Sequence, residues 1–253
     1  METANIAHVN MIGQFQSSLW FLTLHGRLPI PATREPSLVS KGTSMEKRLV
    51  QSLIIRNDLE EAKSEISHKG LILSIAHVKT AFLAFHNLCE FEKSIRSMYA
   101  DHRELSRLFD DCRDNAEFFS YLRNKFTGHI TDGLIDKTLE WKPELPLTLD
   151  RDHDTGIILI YNYWLLETAI NTYVDSQGKH KVFDSDTDLS YPPDFKRFER
   201  TLTAAIDQAT KFLSTVEAIF KPTISPPASE EEKMELFMKA GLTDFAFLTK
   251  KGR

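Results

Sequence analysis

The stretch FKRFERTLTAAIDQATKFLSTVEAIF, residues 195–220, decides the fold class. Its apolar residues return mainly every three or four positions, which is the repeat of an α-helix with one face turned to a core. The stripe consists of Phe195, Phe198, Leu202, Ile206, Ala209, Phe212, Leu213, Val216 and Phe220. No segment of the chain shows the alternation of a strand, so the partners of this helix must themselves be helices. We therefore predict an all-α helical bundle of about five to seven helices.

The other helices follow from the same periodicity. We predict helices over residues 44–68, 71–98, 101–112, 115–126, 131–141 and 157–174, the first of them capped by Ser44. The first two are expected to form an antiparallel hairpin that turns near Lys69 and Gly70. Residues 157–174 are apolar nearly all round, which is typical of a central helix surrounded by others. Residues 175–193 are polar and contain Gly and Pro, so they are predicted to be irregular.

Proline positions divide the chain into three parts. Residues 1–43 contain Pro29, Pro31 and Pro36 and are predicted to be a lead-in segment. Residues 44–221 form the helical bundle. Residues 222–253 comprise a Pro-rich connector and a C-terminal helix that begins after Ser229 with three glutamates. The apolar side chains of that tail are expected to dock on the bundle or to bind a protein partner.

Composition limits the function classes. Two cysteines in 253 residues do not form a disulfide framework and favour a reducing, cytoplasmic setting. We expect no secretory leader, because Glu2 replaces a basic start, and no membrane span. The net charge of −5 argues against an extended basic surface that binds nucleic acid, but it is compatible with a local basic cleft.

The sequence RNKFTGH, residues 123–129, carries the one clear chemical signature. Cleavage of RNA through its own 2′-hydroxyl requires stabilisation of charge on the phosphoryl oxygens and proton transfer at the attacking and leaving oxygens. The guanidinium of Arg123 is always charged and can donate two parallel hydrogen bonds to a phosphate. Because histidine gains and loses a proton near neutral pH, His129 could carry out the proton transfer. Asn124 is suited to orient either group. No metal or cofactor is required by this chemistry.

Geometry places a condition on this pair. On a straight α-helix six residues correspond to about 600°, so the side chains of Arg123 and His129 would point about 120° apart. Either the helix bends near Gly128, or two copies of the motif meet across a dimer. The structural alternative is a surface ion pair for Arg123 and a helix C-terminal position for His129.

This segment resembles the signature of the HEPN superfamily, in which an Arg and a polar residue precede a His by four to six residues within an all-α bundle. The resemblance implies a metal-independent endoribonuclease of a toxin or anti-phage defence system, with motifs facing across a homodimer cleft. Arg123, Asn124 and His129 would then be catalytic. A second Arg-to-His spacing, Arg96 to His102, lacks the Asn and the glycine.

Four further basic side chains are candidates for RNA binding because they surround the motif in sequence: Lys125, Arg96, His102 and Arg103. Solvated helix faces are the alternative explanation, and for Arg96, His102 and Arg103 it is the favoured one. The competing function is a non-catalytic helical interaction protein, in which the bundle is structural or antitoxin-like.

Two other clusters have simpler explanations. His86 and Cys89 have the spacing of half a zinc site, but no second pair follows, so we predict that both are buried in the core. The acidic cluster at Asp150, Asp152, His153 and Asp154 directly precedes a helix, which favours helix capping over cation binding.

Overall fold

The computed structural model describes residues 42–150 and 154–243, with side chains from residue 45 onward. These residues form eight α-helices: α1 Gly42–Lys69, α2 Ile75–Ile95, α3 Arg103–Asp110, α4 Arg113–Leu122, α5 Asp132–Trp141, α6 Thr155–Asn171, α7 Pro192–Phe220 and α8 Glu230–Ala240. The described chain contains a single isolated bridge, between Val174 and His180, and no longer strand. The all-α prediction is confirmed.

Four short helical turns join or extend these helices. Three are 3-10 turns, at Arg96–Ala100, Leu145–Thr148 and Lys221–Thr223, and one is a π-turn at Arg123–Thr127. Residues predicted to extend α2 to position 98 and α4 to position 126 lie in two of these turns. Helix α1 begins at Gly42, so Ser44 lies inside its first turn rather than at the cap. The predicted lead-in segment, apart from its last two residues, lies outside the described residues.

Three long helices form the frame of the bundle. Helix α1 packs against α2 and α7, and α4 packs against α2 and α7. The turn between α1 and α2 uses Gly70 at φ +79°, a conformation that glycine adopts without a steric penalty. A partly buried ion pair joins α1 to α7, because Arg56 Nε donates to the buried Glu217 at Oε1 over 2.8 Å. The predicted hairpin is therefore part of a three-helix unit.

Phenylalanine rings fill the space between α2, α4 and α7. The Phe119 ring of α4 is fully buried and stacks on Phe85 of α2 at a centroid distance of 4.9 Å. The same ring meets the edge of Phe198 of α7 at 6.2 Å. Such ring pairs add to the free energy gained from burying their surface. The apolar stripe of residues 195–220, with which the sequence analysis begins, forms the α7 side of this core.

Helix α6 differs from its prediction. Only its C-terminal part is buried, from Leu166 to Ile170, whereas Ile158 and Ile160 are 45% and 47% exposed. The prediction that this helix is surrounded along its whole length is wrong for the described residues. In the described residues no helix is both long enough and apolar enough to cross a membrane.

The tail helix α8 is separate from the bundle. Ser229 caps it by accepting a hydrogen bond from the Glu232 N–H at 3.1 Å, as the sequence predicts. None of its side chains is buried, and its apolar residues are among the most exposed of the described chain. In the described part of this tail, which ends at Thr243, no side chain of α8 is buried against the bundle, so the docking expected as one of two alternatives is not seen there.

Candidate functional site

The predicted motif begins where α4 changes its hydrogen-bonding pattern. Residues Arg123–Thr127 form a π-turn, closed by the Gly128 N–H, which donates to the Arg123 carbonyl oxygen at 2.6 Å. A π-turn places one more residue in the loop of each hydrogen bond than an α-helix does, and such turns occur often at functional sites. The expected departure from a straight α-helix is therefore present, and it begins at Arg123.

Phe126 anchors the inner side of this turn. Its ring is 1% exposed and meets the edge of Phe82 at a centroid distance of 6.5 Å. Lys79 Nζ lies 4.6 Å from the centre of the same ring and donates to Asn162 Oδ1 of α6 at 2.6 Å. Because Phe126 is fixed in the core, the polar residues beside it are held on the outer side of the turn.

Gly128 provides the space that the Arg123 side chain occupies. A Cβ atom at position 128 would lie 3.2 Å from Arg123 Nη1 and 3.2 Å from the Arg123 carbonyl oxygen. Gly128 itself has φ −76°, an ordinary helical value, so its role is close approach and not an unusual backbone conformation. The guanidinium therefore folds back over the glycine.

The folded guanidinium is bonded to the next residue of the motif. Arg123 Nη1 donates to Asn124 Oδ1 at 3.0 Å, and no carboxylate of the described chain pairs with Arg123. Its Nε atom and the hydroxyl of Thr127 are buried without a hydrogen-bond partner in the described residues. The surface ion pair of the structural alternative is not formed, and the cation keeps donors for an anion.

His129 follows the π-turn and is exposed. It makes no hydrogen bond within the described chain and none to Arg123, so the turn does not join the two side chains of the motif. Exposure leaves its imidazole accessible to solvent and to a second molecule. The motif thus consists of a fixed Arg123–Asn124 pair and a separate histidine.

Asn124 lines a groove between α2 and α4. This groove has a volume of about 420 Å³, and its polar lining includes Asn124, Ser120, Glu117, His86, Lys93 and Arg96. His86 Nδ1 lies 3.0 Å from Ser120 Oγ, one helical turn before Asn124. The groove therefore joins the predicted catalytic amide to the predicted substrate-binding Arg96.

Acidic neighbours neutralise much of the basic charge around the groove. Arg96 pairs with the buried Glu92, its Nη2 lying 2.8 Å from Glu92 Oε2, and Lys93 Nζ lies 2.7 Å from Glu90 Oε1. Tyr99 also donates to Glu92, at 3.0 Å. The ion pair with Glu92 thus holds the Arg96 side chain in place and limits its movement toward a ligand.

The other three predicted RNA-binding residues, Lys125, His102 and Arg103, do not line this groove. Lys125 sits on the exposed side of the π-turn with Nζ 5.7 Å from the centre of the Tyr121 ring. His102 precedes α3, its Nδ1 3.5 Å from Glu104 Oε1, and Arg103 begins that helix as an exposed side chain. Neither His102 nor Arg103 lines the groove of Asn124.

His86 is the groove residue that the sequence analysis assigned to the core. It is half-buried and faces the groove, so that prediction is wrong for His86. The neighbouring Cys89 is largely buried, and burial raises the pKa of its thiol to about 11. Glu117, Ser120 and Asn124 are polar and follow one another at spacings of three and four residues. In the sequence this spacing already indicates a polar helix face, and that face is turned toward α2.

Metal binding finds no support in the described part of the chain, where no group of three or more His, Cys, Asp or Glu residues could hold an ion. Asp154 caps α6, its Oδ1 accepting from the Ile157 N–H at 2.9 Å, which confirms the capping prediction for that residue. Asp152 and His153 lie outside the described residues.

Comparison of this chain with protein-family models, curated proteins and solved structures gives no match.

Proposed function

We propose that this protein is a metal-independent endoribonuclease of the HEPN type, which cleaves RNA by attack of its 2′-hydroxyl on the adjacent phosphate. One observation carries the proposal: the Arg123 guanidinium lies over Gly128, bonded to Asn124 and without a carboxylate partner in the described chain. A toxin or phage-defence setting is inferred from the motif resemblance alone.

Arg123 and Asn124 would bind the scissile phosphate together. The guanidinium can donate to the phosphoryl oxygens, whose negative charge grows as the 2′-oxygen attacks phosphorus. Asn124 uses Oδ1 to accept from Arg123, so its amide N–H groups are left to donate to the substrate. Because their mutual hydrogen bond fixes both side chains before RNA binds, little ordering is required at the moment of reaction.

Proton transfer is assigned to His129. In the reaction a histidine accepts the 2′-hydroxyl proton, the P–O5′ bond breaks, and the leaving 5′-oxygen receives a proton. Since His129 is exposed and not bonded to Arg123 of its own chain, we propose that it acts at the Arg123 of a second copy. A homodimer would bring two histidines to one cleft, one as base and one as acid.

A second candidate function has its own support. The exposed apolar side chains of α8, and the neutralised basic charges beside Asn124, also suit a helical interaction protein without catalysis. In that function Arg123 would bind an acidic group of a protein partner.

Labelled RNA incubated with the purified protein in EDTA distinguishes the two candidates. The ribonuclease proposal expects products with 2′,3′-cyclic phosphate ends, and a loss of at least 100-fold in rate for Arg123→Ala and for His129→Ala. Arg48→Ala and His68→Ala, at half-exposed and exposed α1 positions, are matched controls and should keep the wild-type rate.

The same assay contains a test of the dimer. Mixing Arg123→Ala with His129→Ala should restore part of the activity, because a mixed dimer keeps one Arg123 and one His129 in the shared cleft, whereas each variant homodimer lacks both copies of one of these residues. Absence of cleavage by the wild-type dimer, or cleavage at the wild-type rate by both variants, contradicts the proposal and favours the interaction protein.

A further inference from the structure

The groove between α2 and α4 that Asn124 lines does not have the charge of a phosphate site. Its two permanent cations, Lys93 and Arg96, each pair with a glutamate, at 2.7 Å and 2.8 Å. A third carboxylate of the lining, on the exposed Glu117, has no ion-pair partner in the described residues. Not counting histidine, three carboxylates against two cations leave the groove with a net negative charge. An uncharged part of an RNA chain therefore suits it better than a phosphate does.

An aromatic wall gives the groove a surface for a nucleobase. Tyr121 lines the groove, and its hydroxyl donates to the Thr172 carbonyl oxygen at 3.1 Å. The same ring packs on Tyr173 at a centroid distance of 4.8 Å, so two contacts fix its position. Proteins bind unpaired RNA bases by stacking them on aromatic side chains. The volume of about 420 Å³ is within the usual range of pockets for small molecules.

The polar residues of the groove form a row that leads away from the proposed phosphate site. Asn124, Ser120 and Glu117 follow one another at intervals of four and three residues, so they share one side of α4 and of the turn that continues it. Asn124 and Glu117 are about 10 Å apart along this row. Asn124 is bonded to Arg123, to which the scissile phosphate is assigned. A nucleotide with its phosphate at Arg123 has about the length needed to place its base at Glu117.

The hydrogen-bonding groups of the groove suit guanine. An ionised carboxylate only accepts hydrogen bonds, and it can take two from adjacent donors, as it does from arginine. Guanine presents two adjacent donors, N1–H and the N2 amino group, beside its acceptor O6, whereas adenine, cytosine and uracil each present a single donor group on this edge. His86 supplies a donor for O6. Its Nδ1 lies 3.0 Å from Ser120 Oγ, and when that hydroxyl donates, the ring proton is on Nε2.

We infer that this groove binds the guanine of the nucleotide whose phosphate lies at Arg123, and that the Glu117 carboxylate accepts from guanine N1–H and N2–H. Glu117 is then a specificity-determining residue, and cleavage occurs beside guanine. The substrate is single-stranded RNA, because a paired guanine does not expose this edge. The inference rests on the proposed function, since Arg123 holds the phosphate.

Binding of short RNAs to the full chain carrying His129→Ala tests the inference without cleavage. The probes are fluorescein-labelled uridine heptamers whose central residue is uridine, guanosine, adenosine, cytidine or inosine, and binding is followed by fluorescence anisotropy. The guanosine heptamer is expected to bind about ten-fold more tightly than the uridine, adenosine and cytidine heptamers, which is the size of a bidentate contact to a base. Inosine keeps O6 and N1–H but lacks the N2 amino group, so its heptamer should lose most of that gain.

Glu117→Gln, added to the same chain, tests the assigned contact. The amide has the shape of the carboxylate but turns a donor toward the donors of guanine, so the guanosine preference should fall to about two-fold or less. Glu61→Gln replaces an exposed α1 carboxylate that does not line the groove, and this matched control should keep the preference. Both positions are exposed, so the substitutions spare the core.

Three results overturn the inference: equal affinity for the guanosine and uridine heptamers, no binding of the guanosine heptamer at high micromolar concentration, or a preference that survives Glu117→Gln. The ribonuclease proposal fails by a different result, in which the wild-type protein leaves the guanosine heptamer and longer RNAs intact in EDTA. A guanosine preference that depends on Glu117 supports the base site in either case.

Discussion

The substitution Gly128→Ala tests the contact that shapes the proposed site. The added methyl group would lie 3.2 Å from both Arg123 Nη1 and the Arg123 carbonyl oxygen, whereas carbon atoms in van der Waals contact normally rest at about 3.5–4.0 Å. The carbonyl oxygen is held by its hydrogen bond within the π-turn. The guanidinium ends a flexible side chain, so we expect it to shift by a few tenths of an ångström, which weakens its hydrogen bond to Asn124.

The size of the effect follows from that hydrogen bond. A hydrogen bond to a charged group contributes about 1.5–3 kcal/mol, which corresponds to a decrease in cleavage rate of about 10- to 100-fold if the bond orients Arg123 in the transition state. The free energy of unfolding should change by less than about 1 kcal/mol, because alanine accepts the helical φ of −76° at this position and restricts the unfolded chain.

Initial rates of RNA cleavage and thermal unfolding curves of the same preparations check both values. Gly133→Ala is the matched control, since a Cβ atom there meets no other atom within 4 Å. That variant should cleave at the wild-type rate and unfold at an equal or higher temperature. Wild-type cleavage by Gly128→Ala, with its fold intact, would refute the role given to the Arg123 contact.

Three further predictions concern groups outside the motif. His180 donates through Nε2 to a carbonyl at 3.0 Å and accepts two backbone N–H groups at Nδ1, while burial lowers its pKa. Below about pH 6.5 the unfolded chain therefore binds a proton that the folded chain does not. The free energy of unfolding should fall by up to about 1.4 kcal/mol for each pH unit below that value. Urea titrations at several pH values should show a weaker dependence of this free energy on pH for His180→Asn. Asp154→Ala removes the α6 cap and should cost about 1 kcal/mol in the same titration, and an unchanged midpoint would contradict the assigned cap. Cys89, with its pKa raised to about 11, should react with iodoacetamide at pH 8 at least ten-fold more slowly in the folded chain than in urea, as mass spectrometry can measure; equal rates would contradict its burial.

The helical fold could be predicted from the sequence because the apolar repeat and the capping residues act locally. Thr131, Asp154 and Ser229 each accept the hydrogen bond expected of an N-cap. The extent of burial could not be predicted for α6. A helix that is apolar all round must be covered, but its sequence does not distinguish cover by its own chain from cover by another molecule.

The sequence predicts which residues form the candidate site, and this stays a prediction, but it does not predict their geometry. The motif points to Arg123, Asn124 and His129. The number of residues between them, however, does not show whether the backbone forms an α-helix or a π-turn. The difference depends on the anchoring of Phe126 in the core, which is a tertiary contact. The groove likewise forms only when α2 and α4 pack, which is why His86 was assigned to the core.

We propose that the Arg123–Asn124 pair and His129 cleave RNA without a metal. End-group analysis of RNA incubated in EDTA with wild-type protein and with Arg123→Ala tests this most directly. We expect 2′,3′-cyclic phosphate and 5′-hydroxyl ends from the wild type alone. Intact RNA with the wild-type dimer, or the same products at the same rate from Arg123→Ala, would contradict it.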